Sequence, residues 1–140
     1  LNAAYLWAQL LNADEINDNR IATWNRYYQG LQTMAKEGKF EIPTVPKECE
    51  HNAHMFYLKC KDLKERSEFI KFMKEKELYC VFHYIPLHSA PAGEKFGRFD
   101  GEDEFTTKES ERLVRLPMYY GLREDQVDLV LEGIKEFFSK

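Results

Sequence analysis

The sequence predicts an α+β domain in which helices pack on a small sheet of about three strands. Stretches with apolar residues every three or four positions, typical of amphipathic helices, alternate with short aromatic and apolar runs typical of strands. In addition, 44% of the 140 residues are hydrophobic, enough for one domain of this length to bury its own core. The predicted order is helix, strand, helix, strand, long loop, helix, short strand, helix.

The first 35 residues contain no proline and carry the longest helical pattern of the chain. Their apolar residues recur at spacings of three, four or multiples of these, which predicts one long helix or a kinked pair. We expect the kink in the polar stretch 12–20, and we expect Gly38 to end the pattern as a glycine C-cap. The apolar positions are Leu6, Leu10, Ala13, Trp24, Tyr28, Leu31 and Ala35.

The middle of the chain predicts a strand, a helix and a second strand. Residues 53–60 are aromatic and apolar but too few for a helix of their own, which is typical of a strand. Asp62 and Glu65 have the spacing of a capping box, which predicts a helix over about residues 63–77. The second strand is predicted over residues 78–83. The expected buried stripe of the helix comprises Leu63, Phe69, Ile70 and Met73.

The C-terminal part predicts two helices around a short strand. Thr106 and Glu109 have capping spacing, which predicts a short helix that ends near residue 114. Residues 115–119 predict a brief strand at the edge of the sheet, because the proline within them cannot donate a ladder hydrogen bond. The clearest apolar periodicity of the chain predicts a final helix from about Glu124.

Composition excludes several classes of function. The chain has 20 Lys and Arg against 24 Asp and Glu, a net charge of −4, so general affinity for nucleic acid is not expected. No apolar run approaches the roughly 20 residues of a membrane span, and no association with a membrane is expected. Three cysteines without metal-type spacing fit a reduced, cytoplasmic protein.

The stretch 84–105 is the most informative for function, because it shows no periodicity and is interrupted by proline and glycine. Loops this long are usually functional or disordered. Two imidazoles and a phenol, those of His83, His88 and Tyr84, stand where the second strand ends. One interpretation is a ligand-contacting lip in which His88 or Tyr84 hydrogen-bonds a polar substrate. The alternative is that His83 is an ordinary strand residue and Tyr84 packs against its own loop.

Other reactive side chains predict little chemistry. The four histidines do not have the i, i+4 spacing of a helical metal site, so no metal is expected. Cys60 and Cys80 lie in apolar strands, where cysteine behaves as a small buried hydrophobe. The acidic run 100–104 is expected to be a solvated loop tip rather than a cation site.

Several motifs in order are similar to one known family. They are NAHMFY at residues 52–57, VFHYIPLH at 81–88, PAG at 91–93, TKESERL at 107–113 and the Leu-Pro pair at 116–117. With these motifs the chain resembles the sugar-nucleotide aminotransferases of the DegT/DnrJ/EryC1/StrS family over essentially its whole length.

This resemblance implies a dimeric fold-type I enzyme that uses pyridoxal 5'-phosphate (PLP) to transfer an amino group from glutamate to a 4-keto-6-deoxy sugar nucleotide. In that family a large N-terminal domain holds the Schiff-base lysine and most contacts to the cofactor, and nothing in this chain matches those motifs. The resemblance therefore implies that the chain, which starts inside a helical pattern, is the C-terminal piece of a longer protein. Residues 1–38 would be a long interdomain helix and residues 39–140 the small C-terminal α+β domain.

Few functional residues carry over from the family. The resemblance places His88 near the sugar nucleotide, together with Tyr84 on the same loop, whereas no catalytic, cofactor-binding or metal-binding residue is expected. Arg20 and Tyr28 match family positions on the long helix, where they imply a structural role. Without the lysine-bearing domain, the chain alone is expected to bind no PLP and to be inactive.

Two further points follow from the sequence. Arg123 stands where relatives usually have a Ser or Thr cap, and because arginine accepts no hydrogen bond, the final helix is expected to fray there or to rely on Asp125. The alternative to an enzyme fragment is a free-standing, non-catalytic binding or interaction module that reuses this fold.

Overall fold

The computed structural model describes residues 1–139 and confirms the α+β class, with helices packed on a three-stranded antiparallel sheet. The last residue of the predicted region 39–140 lies outside the described residues. The helices are α1 (Asn2–Leu10), α2 (Ala13–Lys36), α3 (Leu63–Glu75), α4 (Pro91–Phe96), α5 (Thr106–Arg112) and α6 (Glu124–Phe138), and a short 3-10 helix spans Leu87–Ser89. The strands are β1 (Tyr57–Lys59), β2 (Val81–Phe82) and β3 (Leu113–Arg115).

The N-terminal helical pattern forms a pair of helices, α1 and α2, as one of the two predictions had it. The break between them lies at residues 11–12, where the polar stretch 12–20 begins. α2 ends at Lys36, and Gly38 terminates the helical pattern as predicted, with a φ of +77°, a left-handed conformation that suits glycine. The Gly38 N–H donates to Ala35 O at 3.0 Å and the Lys39 N–H to Met34 O at 3.1 Å, the two bonds of a Schellman motif.

β3 is the central strand, so the prediction of an edge strand over residues 115–119 is wrong. The strand order is β1-β3-β2, and Val114 lies opposite both Leu58 and Phe82. The strand begins earlier than expected because α5 already ends at Arg112. Pro117 therefore follows the strand and removes no hydrogen bond from the ladder.

The Asp62 cap predicted for α3 is confirmed, but the reciprocal bond of Glu65 goes to the residue before the cap rather than to Asp62 itself. The Asp62 carboxylate accepts the Glu65 N–H at 2.9 Å, and the Glu65 carboxylate accepts the Lys61 N–H at 2.7 Å. Phe69 and Met73 are fully buried as expected. Leu63 is 42% exposed, contrary to the prediction, because it opens the helix between two exposed residues, before the helix reaches the core.

The cap predicted at Thr106 is wrong, since Thr106 is the first residue inside α5. The acceptor is Asp103, whose carboxylate accepts the Thr107 N–H at 3.3 Å and the Thr107 hydroxyl at 2.5 Å. The side chain of Asp103 is only 20% exposed. As whole residues, 100–104 are all exposed, which agrees with the predicted solvated loop tip, but the Asp103 carboxylate is also bound by Thr107.

The long loop predicted over residues 84–105 also contains regular structure, namely the 3-10 helix and α4. These elements are too short to show an apolar period, and they depend on a close backbone approach. A Cβ atom on Gly93 would lie 1.7 Å from the carbonyl oxygen of Leu87, so a residue without a side chain is needed there. Pro91 opens α4 at the position where a helix tolerates proline best.

The start of α6 compensates for its arginine cap. The Gln126 side chain accepts the Arg123 N–H at 3.1 Å, while the Arg123 guanidinium binds both oxygens of Asp125 at 2.9 Å. The predicted reliance on Asp125 is confirmed.

The core lies on one face of the sheet, between the strands and helices α2, α3 and α6. Leu58 and Val114 point into it, and because side chains alternate along a strand, Tyr57 and Arg115 stand on the opposite, outer face. No helix of residues 1–139 is long and apolar enough to cross a membrane. The largest fully buried side chains are Tyr27, Leu31, Phe56, Leu58, Cys60, Phe69, Met73, Val114, Val127 and Ile134.

Candidate functional site

The segment after β2 places Tyr84 and His88 in two adjoining surface hollows. Tyr84 lines a hollow of about 360 Å³, and His88 lines another of about 420 Å³. Leu87 and Thr106 line both. The structure thus brings the two predicted residues to neighbouring parts of one surface rather than into a single pocket.

His88 is held by a carboxylate that lies 15 positions later in the chain. Its Nε2 atom lies 2.9 Å from Asp103 Oδ2 and 3.4 Å from the Thr107 hydroxyl oxygen. The imidazole ring packs against Phe99, with ring centroids 4.5 Å apart. The His88 side chain is 20% exposed, so solvent still reaches part of the ring.

The charge of Asp103 is favoured by its surroundings. Hydrogen bonds from Thr107, chiefly from its hydroxyl, and the neighbouring His88 hold the pKa of the Asp103 carboxyl below its ordinary value, although desolvation opposes the shift. An ionised carboxylate at Nε2 selects the imidazole form that carries a proton there. In neutral His88, Nδ1 then keeps its lone pair and can accept a hydrogen bond from a ligand hydroxyl.

Tyr84 presents its phenol to solvent. Its side chain is 60% exposed, and its hydroxyl makes no hydrogen bond within residues 1–139. The backbone is anchored instead, because the Ser110 hydroxyl donates to the Tyr84 carbonyl oxygen. The ring meets the ring of His83 edge-on with centroids 3.8 Å apart. Contact of Tyr84 and His88 with a substrate stays a prediction.

His83 is favoured in its neutral form. Burial lowers its pKa below the ordinary value, and the positive charges of Arg115 and His54 lower it further. An imidazole in such surroundings is a poor partner for further positive charge.

Arg20 and Tyr28 make structural contacts. The Arg20 guanidinium donates to the carbonyl oxygen of Ala53 at 3.2 Å and also to that of His54, which ties α2 to the segment before β1. Tyr28 stacks on Trp24, with ring centroids 5.2 Å apart. Both agree with the structural roles implied by the resemblance.

The lysine best placed for cofactor chemistry does not fit a Schiff base. Lys59 Nζ lies 2.7 Å from Glu109 Oε2 and 3.8 Å from Glu41 Oε2. Its hydrogen bond to Glu109 raises the pKa of Lys59, whereas a Schiff-base lysine needs a depressed pKa. Lys59 therefore does not fit the anchoring of PLP.

Two side chains of this surface were missed by sequence reasoning, namely Asp103 and Thr107. Their spacing of four residues before a helix is a weak capping signal that was assigned to Thr106 instead. The pairing of Asp103 with His88 had no signal, because it joins two segments that only the tertiary fold brings together. No group of three His, Cys, Asp or Glu side chains within the described part of the chain is arranged to hold a metal ion.

Comparison with known proteins supports the resemblance. The sequence profile of the DegT/DnrJ/EryC1/StrS aminotransferase family matches residues 1–135. The chain is 27% identical to the pleiotropic regulatory protein of Geobacillus stearothermophilus, over 99% of this chain and 36% of that protein. It is also 27% identical to the dTDP-3-amino-3,4,6-trideoxy-alpha-D-glucose transaminase of Micromonospora megalomicea subsp. nigra, over 99% of this chain and 37% of that enzyme.

Solved structures share the fold. S. venezuelae DesV, solved in complex with a ketimine intermediate, superposes with a TM-score of 0.86 at 22% identity, over 99% of this chain and 36% of DesV. A Streptococcus pneumoniae protein assigned as a sugar aminotransferase has been solved in PLP and PMP forms. It superposes with a TM-score of 0.77 at 20% identity, over 95% of this chain and 33% of that protein. The chain spans about a third of the length of the curated relatives it matches. Because the family profile covers nearly all of its residues, the chain belongs to the DegT/DnrJ/EryC1/StrS aminotransferase family.

Proposed function

We propose that this chain is the C-terminal small domain of a PLP-dependent aminotransferase that transfers an amino group from glutamate to a 4-keto-6-deoxy sugar nucleotide. The observation that carries the proposal is the family match over residues 1–135 in a chain that spans about a third of its relatives. One of those relatives is named as a transaminase of a dTDP-linked amino sugar, which supports a nucleotide sugar as substrate.

The specific reaction we propose converts dTDP-4-keto-6-deoxyglucose to dTDP-4-amino-4,6-dideoxygalactose. It would serve the biosynthesis of surface polysaccharides such as lipopolysaccharide or enterobacterial common antigen. The motifs at residues 52–57 and 81–88 support this choice, because they resemble the transaminase of that reaction. The intact enzyme would be a cytoplasmic homodimer.

In this enzyme the chain supplies part of the substrate surface. Residues 1–38 would join it to the larger domain, and residues 39–140 would form the small domain. His88, with Nε2 held by Asp103, would accept a hydrogen bond from the sugar nucleotide through Nδ1. The exposed phenol of Tyr84 would offer a second polar contact from the adjoining hollow. PLP would be anchored by residues outside this chain, since Lys59 is already paired with Glu109.

The test is an assay of the full-length protein that contains this sequence. With glutamate and dTDP-4-keto-6-deoxyglucose we expect 2-oxoglutarate and a sugar nucleotide whose amine, by NMR, is on C4 in the galacto configuration. Amination at C3 would contradict the specific reaction but leave the class standing. Absence of glutamate-dependent amination with any keto sugar nucleotide would contradict the class and favour the non-catalytic binding module.

The chain alone provides a second test. We expect neither transamination nor stoichiometric PLP binding, because its lysines lack the environment that a stable Schiff base needs. PLP is added, bound aldehyde is trapped with borohydride, and labelled peptides are mapped by mass spectrometry. Slow labelling scattered over surface lysines agrees with the proposal. One stoichiometric adduct on a single lysine, such as Lys59, would overturn it.

A further inference from the structure

Arg115 is a cation that the described chain leaves without a hydrogen bond or an ion pair. It ends β3, opposite Tyr57 and Val81, on the outer face of the sheet. Its Nε atom is enclosed and has no acceptor within residues 1–139, and its guanidinium carbon lies 5.8 Å from the centroid of the Tyr84 ring. The two Nη groups also make no hydrogen bond within residues 1–139, and an acceptor from outside the chain would bind these groups rather than the enclosed Nε.

Two neighbouring cations, unlike Arg115, form ion pairs with carboxylates of the chain. Lys59, on the outer face of β1, has its ammonium group 2.7 Å from Glu109. Arg112, just before β3, binds Glu109 at 3.2 Å and Glu41 at 2.5 Å. These charges are neutralised within the chain, whereas the charge of Arg115 is not.

Two further cationic or titratable groups surround the same place. Arg115, Arg20 and His54 line a hollow of about 310 Å³ on this face, and no acidic residue of the described chain lines it. Among residues 1–139 the Arg20 guanidinium donates only to backbone carbonyl oxygens, so no carboxylate of this part of the chain compensates its charge. Burial, followed by the charges of Arg115 and His54, lowers the pKa of nearby His83.

We propose that this hollow, the Arg115 pocket, binds an oxyanion group, either a phosphate or a carboxylate. The planar guanidinium of Arg115 would bind two oxygens in a bidentate manner, while Arg20 and His54 contribute positive potential. The site is separate from the His88–Asp103 pair. The identity of the ligand rests on the proposed function. In the aminotransferase the oxyanion would be the diphosphate of the sugar nucleotide or a carboxylate of glutamate.

Binding is tested with the 140-residue chain at low ionic strength, with inorganic pyrophosphate in one arm and glutarate in the other. NMR follows the imidazole Cε1–H signals of His54 and His83. We expect saturable shifts of both signals with at least one anion, and a rise in the pKa of His83 when the anion is bound, because a negative charge then faces it.

Three variants distinguish a specific role of the Arg115 guanidinium from a general effect of positive charge on anion binding. Arg115→Gln is expected to weaken binding at least tenfold, and Arg115→Lys by a smaller factor because it keeps the charge but loses the bidentate fork. Lys71→Gln, which removes one charge from the exposed surface of α3, is expected to leave binding unchanged. The dispersion of the amide spectrum confirms that each variant is folded.

Each outcome decides the proposal. Binding of pyrophosphate alone identifies a phosphate site, binding of glutarate alone a carboxylate site, and binding of both a general oxyanion site. No saturable shift in the folded chain, or equal affinity in Arg115→Gln, would overturn it. Since the assay uses neither PLP nor turnover, its failure beside an active full-length enzyme would refute only the Arg115 pocket.

Discussion

At the scale of single residues, His88, held by Asp103, is proposed to make a hydrogen bond to the sugar nucleotide. A neutral hydrogen bond contributes about 0.5–1.5 kcal/mol, and the upper end corresponds to roughly tenfold in binding. In the full-length enzyme we therefore expect His88→Ala to lower kcat/KM for the sugar nucleotide about tenfold, while the half-reaction with glutamate is unchanged. Steady-state kinetics with each substrate measure both.

A matched control is Ser89→Ala. Ser89 is an exposed neighbour whose hydroxyl, within the described residues, donates a hydrogen bond only to Pro86 O, at 3.3 Å. It should leave both half-reactions unchanged. Kinetics of His88→Ala equal to those of the parent enzyme would show that His88 serves only to pack the loop against Phe99.

The three thiols differ in burial and so in reactivity. Burial raises the pKa of Cys60 and of Cys80 to about 12, whereas Cys49 is exposed. Because the thiolate is the reactive form, a thiol reagent at pH 8 should modify one cysteine in the folded chain and three after denaturation. Counting adducts by mass spectrometry tests this, and Cys49→Ser should abolish the native reaction. Rapid native labelling of Cys60 or Cys80 would contradict it.

At the scale of elements, helix caps differ in their contribution to stability. Asp62 accepts a backbone N–H at the start of α3, and Thr106 accepts none at the start of α5. We expect Asp62→Ala to reduce the free energy of unfolding by about 1 kcal/mol and Thr106→Ala to change it little. Urea unfolding followed by circular dichroism compares the two variants. Equal losses would mean that the Thr106 hydroxyl caps α5 in solution.

Elements with strong local signals could be predicted from the sequence. The apolar period of α6, the cap of α3 at Asp62 and the glycine at residue 38 each depend on contacts within one turn or one helix face. The short elements could not. α4 depends on the backbone approach between Gly93 and Leu87, and the position of β3 depends on pairing with strands more than 30 residues earlier. The candidate site divides in the same way. The segment that carries Tyr84 and His88 could be identified from local sequence, whereas Asp103 is brought to it only by the tertiary fold.

At the scale of the whole molecule, ionised carboxylates make stability depend on pH. The ammonium group of Lys59 holds the pKa of Glu109 below its ordinary value, and Arg26 does the same for Asp128. A depressed pKa in the folded state means that the unfolded chain binds more protons in acid. The stabilisation is therefore complete above the ordinary carboxyl pKa and is lost as pH falls through the folded values. The urea midpoint of unfolding should therefore decrease as the pH is lowered from 6 to 3, and the decrease should be smaller in Glu109→Gln. A midpoint that rises in acid would contradict this.

The first helix gives the molecule an apolar surface without a cover. Every residue of α1 is exposed, and Tyr5, Leu6, Trp7 and Leu10 are each more than half exposed. Contiguous surfaces of this kind usually find a partner. We expect the chain to dimerise through residues 1–11, or this segment to refold onto itself. If it dimerises, Leu6→Glu with Leu10→Glu should return it to a monomer. Light scattering measures the mass. A monomeric parent chain with fast hydrogen exchange over residues 1–11 would contradict this.

The central position of β3 also determines when the fold can be completed. In the described part of the chain β1 and β2 do not pair with each other. Apart from one bridge between Lys59 and Glu41, neither strand there has a ladder partner before residues 113–115 exist. During synthesis α2 and α3 can form from local contacts, while the sheet has to wait for its last strand. The β1 and β2 segments therefore leave the ribosome as unpaired edges. A chain that stops short of β3 would hold two separate strands rather than a smaller sheet.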